Sequence, residues 1–243
     1  MMRGLLVAIG FLTRLPVPAG VFPDARSQAE SLAWYPLVGA LLGSLLGAFA
    51  WLLHGFGAPP LLSAALLLTA WVALTGALHL DGLADSADAW VGGLGNRERT
   101  LEIMKDPRSG PAGVVALVLL LILKFAALAS IDTVAWTTLL LAPVLARAGL
   151  MAAFLWVPYV RRDGLGTELT SAPRARCRIA LACALLFALF FGGSGVFAIA
   201  AAIVVWLAWR RACIFRLGGF TGDTAGALAE IIEVAVLIAS VIQ

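Results

Sequence analysis

The sequence predicts an all-α fold, a polytopic bundle of membrane-spanning helices that forms a single domain over residues 1–243. Three observations support this prediction: a strongly apolar composition, seven long apolar runs, and basic residues confined to alternate connecting loops. Of the 243 residues, 62% are hydrophobic and 13% are charged, whereas soluble domains contain about 45–50% apolar and about 25% charged residues. The mean hydropathy is +0.99. This composition excludes a disordered chain and an ordinary soluble globule.

Each of the seven apolar runs is long enough, or nearly so, to cross a bilayer as a helix, which takes about 20 residues. The runs are rich in Leu and Ala and do not alternate with polar residues, so they predict helices rather than the strands of a membrane barrel. The expected spans lie near residues 31–54, 59–80, 111–130, 133–157, 178–191, 195–212 and 224–242.

A shorter apolar run, Gly4–Leu12, follows Arg3 at the N-terminus. Arg14 comes soon after this run, and Pro16 and Pro18 precede any small-residue cleavage site, which argues against a cleaved signal peptide. We therefore expect a retained helix that lies in the membrane interface or inserts partly.

The basic residues predict the orientation of the chain. Fifteen of the 17 Lys and Arg residues lie in segments 1–30, 81–110, 159–178 and 209–223, and none lies in the loops 55–58, 131–132 and 192–194. Because basic loops remain on the cytoplasmic side, we expect a cytoplasmic N-terminus and an external C-terminus. The net charge of +3 then reflects topology and not nucleic-acid binding.

The densest group of candidate functional residues is the acidic segment that follows the second expected span. Asp81, Asp85 and Asp88 are spaced i, i+4 and i+7, so a helix places them on one face. Three neighbouring carboxylates repel one another unless a cation neutralises them, and such hard oxygen ligands suit Mg²⁺ or Mn²⁺ rather than zinc. The alternative interpretation is a solvated acidic face without a metal.

A second candidate is the turn from Lys105 to Gly113, which contains Asp106, Arg108 and Gly110. Two cations flank a proline turn, and the backbone amides at the start of the next helix face the same turn. Such an arrangement is suited to binding phosphate. The alternative is a basic loop that only marks the cytoplasmic side.

A third candidate lies around the last expected span. Gly219 allows close approach of a ligand to the backbone, and Thr221 or Asp223 is expected to cap the following helix. Asp223 and Glu230 are seven residues apart and can face the same way.

Charged residues inside the expected spans need partners, because charge is costly in a bilayer. Arg147 is expected to pair with Glu230, with Glu233 or with a substrate phosphate, while Lys124 is expected to snorkel toward the outer surface. The segment Arg161–Gly166 is a weaker candidate for contact with an anionic substrate.

Acidic residues that face basic and glycine-rich turns are typical of phosphoryl transfer, in which cations neutralise the phosphates and an alcohol attacks in line. The sequence has no Walker A motif. Five segments in this order resemble the cobalamin synthase family, the membrane-bound adenosylcobinamide-GDP ribazoletransferases, over essentially the whole chain: Phe11–Pro18, Tyr35–Gly39, His79–Asp88, Lys105–Gly113 and Gly218–Glu230.

This resemblance implies a donor, an acceptor and a cofactor. The donor is adenosylcobinamide-GDP, the acceptor is α-ribazole or its 5′-phosphate, GMP is the leaving group, and Mg²⁺ is required. The implied setting is the lipid bilayer, and a second copy of the chain or other enzymes of cobamide assembly are further partners to be tested.

The resemblance also implies roles for the candidate residues. Asp81, Asp85 and Asp88 form the metal cluster, and Asp223 and Glu230 complete the metal site or orient the acceptor. Lys105 and Arg108 hold the pyrophosphate and take part in catalysis, and the general base is His79 or Asp88. The remaining substrate-binding candidates are Gly110, Arg147, Gly219, Thr221 and Glu230.

Two other functions fit parts of the pattern. The Asp81-Gly82 pair also occurs in CDP-alcohol phosphotransferases that act on lipid head groups, but the longer motif of those enzymes is missing here. A secondary transporter would use Arg147, Glu230 and Glu233 as an intramembrane path, but it would not need the acidic stripe.

Overall fold

The structure is a computed structural model that describes residues 2–22, 24–131, 136–161, 164 and 166–242. Over these residues the chain forms α-helices without β-strands, which confirms the predicted all-α fold, and a single parallel bridge joins Tyr159 to Phe220. The helices are α1 Met2–Leu12, α2 Ala25–Ser31, α3 Tyr35–Gly55, α4 Pro60–Thr75, α5 Leu78–Gly92, α6 Arg97–Ile103, α7 Pro111–Ser130, α8 Trp136–Trp156, α9 Arg174–Leu189, α10 Gly192–Leu217 and α11 Gly222–Ile242.

Fewer helices than the expected seven are long and apolar enough to span a membrane. Within the described residues five qualify: α3 with its extension from Ala25, α7, α8, α10 and α11. The expected spans at 59–80 and 178–191 correspond to α4 and α9, each of only 16 residues. The first residues of the expected span 133–157 lie outside the described residues. The protein is a multi-pass helical membrane protein, but the count of seven was too high.

The second expected span is bent sharply between two helices. α4 and α5 meet at 88°, and together they count as a sixth candidate span. Gly76 and Ala77 both take left-handed backbone conformations, with φ of 63° and 58°, and these conformations end α4. α5 has 15 residues, about 22 Å at 1.5 Å per residue, which is shorter than a bilayer core. We therefore treat α5 as lying outside the spanning helices.

Helices α8 and α11 form the centre of the bundle. α8 is almost wholly buried, and α11 packs against it and against α5. α3 covers α8 at very close range, since a Cβ atom added to Gly39 would lie 2.4 Å from the Pro143 carbonyl oxygen. Gly43 makes a similar approach to Leu139 one turn later. Small residues allow such backbone contact between membrane helices, where van der Waals packing is a main source of association.

The four basic segments of the sequence meet in the structure. Arg97 Nε donates to the Leu217 carbonyl at 2.7 Å, which joins segment 81–110 to segment 209–223. Val160 N donates to the Phe220 carbonyl at 3.0 Å, which joins segment 159–178 to segment 209–223. Arg176 lies 3.6 Å from Glu30 and so links the N-terminal segment. The polar loops thus form one connected layer.

We expect Gly39→Ala to destabilise the bundle. The added methyl group meets the backbone of Pro143 and not a flexible side chain, so α3 and α8 must separate, at a cost of about 1–3 kcal/mol for overpacking. Thermal unfolding in detergent micelles measures this change.

Gly55→Ala is the matched control in the same helix, because no atom lies within 4 Å of a Cβ atom at that position. It should leave the melting temperature unchanged or slightly higher. Equal melting temperatures for the two variants would contradict the close α3–α8 packing.

Candidate active site

A cavity of about 270 Å³ opens between α3, α5, α8, α11 and the loop that follows α8. The polar side chains in its wall come from separate parts of the sequence, and its remaining wall is mainly apolar. The polar wall residues are Tyr35, His79, Asp81, Tyr159, Arg161 and Asp223. The fold therefore gathers residues from four elements around one space.

The acidic stripe lies on α5 as its spacing predicted. Asp81 is exposed, while Asp85 and Asp88 are partly buried. Burial, together with the neighbouring carboxylates of Asp81, Asp223 and Asp88, raises the pKa of Asp85 to about 6. This increase reflects the cost of concentrating negative charge at one place.

Asp88 acts as a cap for helix α7. Its two carboxylate oxygens accept hydrogen bonds from the backbone amides of Gly110, at 2.7 Å, and Gly113, at 2.8 Å. Capping by a carboxylate satisfies amides at a helix start and is favoured by the helix dipole. The predicted anion site at this turn is thus filled by the protein's own Asp88, and Gly110 serves as a donor to it.

Arg161 and Asp223 form an ion pair at the edge of the cavity. Arg161 Nη1 lies 2.8 Å from Asp223 Oδ2, and both side chains are partly exposed. Asp223 reaches this position because Gly82 of α5 has no side chain, since a Cβ atom there would lie 2.6 Å from the Asp223 carbonyl oxygen. The weak sequence signal at Arg161 therefore identified a residue of the site. Arg162, Asp163 and Leu165 of the same segment lie outside the described residues.

A second cavity, also of about 270 Å³, has both members of this ion pair in its wall. Lys105, Arg161, Thr221 and Asp223 supply its polar wall. Its wall contains no aromatic side chain among the described residues. The two cavities share Arg161 and Asp223, so a ligand that spans both passes this ion pair.

Arg108 does not line either cavity. It binds Asp106 in the same turn through two side-chain hydrogen bonds of 2.9 and 2.7 Å, and 87% of its side chain is exposed. These hydrogen bonds lower the pKa of Asp106 to about 2. Of the two predicted phosphate-binding cations in this turn, the geometry places only Lys105 in a cavity wall.

Gly219 and Thr221 build the loop that precedes α11. A Cβ atom at Gly219 would lie 2.2 Å from the Pro158 carbonyl oxygen, so glycine is needed for the approach of the two loops. Thr221 N donates to Thr224 Oγ1 at 2.8 Å, and Thr224 N donates to Thr221 Oγ1 at 3.2 Å. This reciprocal pair of hydrogen bonds shows that Thr221 caps the N-terminus of α11.

Four charged residues form a buried network inside the bundle. Lys124 Nζ lies 2.8 Å from Glu230 and 2.5 Å from Glu233, and Arg147 pairs with Glu233. The expected ion pair of Arg147 is confirmed, whereas the expected snorkelling of Lys124 is wrong, because its side chain is 2% exposed. Lys124 also lies over the ring of Trp71, 4.5 Å from its centroid. Arg147 and Glu230 are thus members of this buried network, and neither lines either of the two cavities.

His79 lies between this network and the cavity. Its side chain is 4% exposed, and its Nδ1 atom has no hydrogen-bond partner among the described residues. Gly226 of α11 allows the close contact, because a Cβ atom there would lie 3.2 Å from His79 Cα.

Sequence reasoning did not identify the aromatic part of the site. Tyr35, Phe154 and Tyr159 line the first cavity. Phe154 and Tyr159 lie inside or beside apolar runs, where aromatic residues indicate core packing. The segment Tyr35–Gly39 carried the family resemblance and was the available signal.

The donor set can be compared with the needs of a divalent cation. Within the described residues, no three His, Cys, Asp or Glu side chains are placed together so that they hold a metal ion on their own. Asp88 and Asp223 already bind amides and Arg161, respectively. Asp81 and Asp85 remain as a pair of hard oxygen donors on one helix face. Magnesium commonly binds one or two carboxylates and takes its other ligands from substrate phosphates and water.

Comparisons with known proteins extend over the full chain. The family model described as cobalamin-5-phosphate synthase matches residues 4–241. The chain belongs to this family.

Curated relatives of this cobalamin-5-phosphate synthase family member carry one name, adenosylcobinamide-GDP ribazoletransferase. The protein of Stutzerimonas stutzeri strain A1501 is 54% identical over 100% of this chain and 99% of its own length. The protein of Pseudomonas putida strain GB-1 is 54% identical over 98% of both chains. The protein of Pseudomonas aeruginosa strain PAO1 is 53% identical over 98% of this chain and 97% of its own. No solved structure matches.

We expect Glu233→Gln to destabilise this family member strongly. The change leaves Lys124 and Arg147 buried with a single carboxylate, and removal of one partner from a buried ion pair costs about 3–5 kcal/mol. Thermal unfolding in detergent is the measurement.

Glu98→Gln is the control, because the Arg97–Glu98 pair is largely solvent-exposed, with its charged atoms 3.9 Å apart. Its melting temperature should match that of the wild type. A wild-type melting temperature for Glu233→Gln would show that the network does not stabilise the bundle.

Proposed function

We propose that the chain is an adenosylcobinamide-GDP ribazoletransferase. It joins adenosylcobinamide-GDP to α-ribazole, or to α-ribazole 5′-phosphate, and forms adenosylcobalamin, or its 5′-phosphate, and GMP. The observation that carries the proposal is the joint placement of Asp81, Asp223 and Arg161 at one cavity, in a chain that matches named ribazoletransferases along its whole length.

The proposed chemistry is substitution at phosphorus. A ribose hydroxyl of the acceptor attacks the phosphate attached to the corrinoid side chain, a new phosphate ester bond forms, and the bond to the GMP phosphate breaks. The hydroxyl proton passes to a base, for which His79 and Asp88 are the candidates. Catalysis of such transfers rests on positioning and on stabilisation of charge at the phosphate oxygens.

The basic residues of the site have the chemistry that this reaction needs. Arg161 and Lys105 lie on the wall of the second cavity and would neutralise the diphosphate of the donor. Asp223 orients Arg161 through their ion pair, because a guanidinium group fixed by one carboxylate presents its remaining donors in a defined direction. Arg108 would need to leave Asp106 before it reached the same phosphates.

We also propose that Asp81 and Asp85 bind Mg²⁺ together with the donor diphosphate. A bound Mg²⁺ polarises phosphate oxygens and neutralises the charge of the departing phosphate. The two aspartates are one turn apart on the same face of α5, and the pKa of Asp85 is raised by burial first and by the neighbouring carboxylates second. Asp88 and Asp223 are the further ligand candidates once their present partners move.

Substrate assays of purified protein test the activity directly. Adenosylcobinamide-GDP and α-ribazole should give GMP and adenosylcobalamin, which chromatography separates. CDP-diacylglycerol with an alcohol acceptor should give no product. Turnover of CDP-diacylglycerol alone would replace the proposal by the lipid-head-group transferase.

We expect Asp81→Asn to reduce the transfer rate by roughly 100-fold or more, since electrostatic groups at a reacting centre contribute on this scale. The variant should also lose the increase in melting temperature that Mg²⁺ and donor give to the wild type. Asp85→Asn should behave in the same way.

Ser86→Ala is the control for both variants. Ser86 lies on α5 but lines neither cavity, and its hydroxyl group has no partner among the described residues. It should keep wild-type activity. Wild-type turnover in excess chelator, or an active Asp81→Asn protein, would overturn the role of Mg²⁺.

We propose an inner-membrane location with the active site toward the cytoplasm. The contacts among the four basic segments support a common side for them, and basic loops remain cytoplasmic. Reporter fusions after Arg99 and Arg216 should then report the cytoplasm, and fusions after Gly57 and Ser194 the exterior. Equal reporter signals for Arg99 and Gly57 would contradict this orientation.

A further inference from the structure

Three buried polar atoms without partners belong to the wall of the first cavity. They are the hydroxyl groups of Tyr35 and Tyr159 and the Nδ1 atom of His79, and none has a partner at full hydrogen-bonding distance and angle within the described residues. The polar groups beside the two hydroxyl groups are Ser31 for Tyr35 and the backbone of Gly166 and Gly222 for Tyr159. Tyr35 is 2% exposed and His79 is 4% exposed. Buried polar groups in proteins are nearly always hydrogen-bonded, and unsatisfied ones are costly. The presence of three such atoms in the wall of one cavity indicates that a bound ligand supplies the missing hydrogen-bond partners.

Both tyrosines of the chain belong to this group of unpartnered atoms. The chain contains only two Tyr residues, and both line this cavity. Glycines surround the Tyr159 hydroxyl group, since a Cβ atom at Gly164 would lie 2.2 Å from it and one at Gly166 would lie 3.0 Å from it. Glycine is therefore needed at both positions, because a side chain at either would collide with the hydroxyl group.

The rest of the wall suits a flat apolar ring. Phe11 and Phe154 line the cavity together with leucines, and the rings of Phe154 and Tyr159 are stacked at 5.7 Å with an interplanar angle of 26°. Aromatic walls with a few placed polar groups are typical of sites for small aromatic ligands.

The two ends of the donor do not fit this space. The volume of about 270 Å³ lies at the lower limit of small-molecule pockets and is too small for a corrinoid ring. A guanine base carries donors and acceptors along its edge, and a mainly apolar wall would leave most of them unpaired. A fused aromatic base with a single ring nitrogen at its edge would leave far fewer groups unpaired.

The position of the second cavity agrees with this division. Lys105, Arg161 and Thr221 make it polar, which suits phosphates, and it shares the Arg161–Asp223 ion pair with the aromatic cavity. An acceptor held in the aromatic cavity brings its ribose toward a diphosphate at this ion pair.

We infer that the aromatic cavity is the acceptor subsite, which binds a ribonucleoside with an apolar fused aromatic base, and that the hydroxyl groups of Tyr35 and Tyr159 are its specificity-determining contacts. This assignment rests on the proposed function. The base lies against Phe154 and Tyr159, and the ribose hydroxyl groups take the free hydrogen-bonding positions of the wall.

Tyr35→Phe and Tyr159→Phe test the assignment, because each removes one hydroxyl group and keeps the ring. Loss of a neutral hydrogen bond corresponds to roughly 2- to 10-fold in affinity. We expect the KM for α-ribazole to rise by this factor in each variant while the KM for adenosylcobinamide-GDP is unchanged. Ser86→Ala removes another buried unpartnered hydroxyl group, outside the cavity, and should change neither constant.

Calorimetric titration with α-ribazole alone separates this inference from the proposed function. Binding to the wild type that weakens in both tyrosine variants, but not in Ser86→Ala, supports the subsite even if no transfer is detected. Absence of transfer by the wild type with both substrates would overturn the proposed function. An increased KM for the donor alone, or unchanged α-ribazole affinity in both variants, would overturn the acceptor subsite.

Discussion

The buried charge network of Lys124, Arg147, Glu230 and Glu233 is the constraint on which the arrangement of the bundle depends. Isolated charges are costly inside a bilayer, so each of these four residues requires its partners to be at hydrogen-bonding distance. The partners come from α7, α8 and α11, and the contact of Lys124 with Trp71 adds α4. The network therefore fixes the relative depth and rotation of four helices, which apolar packing alone defines weakly in lipid.

The break between α4 and α5 depends on this fixed frame. An apolar helix that continued straight from α4 would carry the carboxylates of α5 past the end of the bundle. The left-handed residues Gly76 and Ala77 instead turn α5 by 88°, and Gly82 and Gly226 let it pack against the start of α11. The acidic stripe thereby lies across the bundle beside Asp223. The site is built where a polar helix meets the first turn of a spanning helix.

The two cavities that share the Arg161–Asp223 pair differ in the chemistry of their walls. One wall is aromatic with unpartnered hydroxyl groups, and the other is polar and contains Lys105. Such a division suits an enzyme that must bring together two unlike substrates at a membrane surface. The acidic residues between the cavities are close enough to disfavour one another's charge, as the raised pKa of Asp85 indicates. A cation and a diphosphate would relieve that cost together.

The sequence by itself determined the helical membrane fold, the common side of the basic loops and the acidic stripe, because composition, charge position and the spacing of Asp81, Asp85 and Asp88 are local properties. It did not reveal the bend in the second expected span, because apolarity carries no sign of the left-handed backbone conformations at Gly76 and Ala77. It also could not give Asp88 its capping role or Lys124 its buried partners. Those depend on contacts between residues separated by 22 to 109 positions. Only the tertiary structure brings such groups within hydrogen-bonding distance, and that proximity decided which charges are buried in the bundle and which face the cavities.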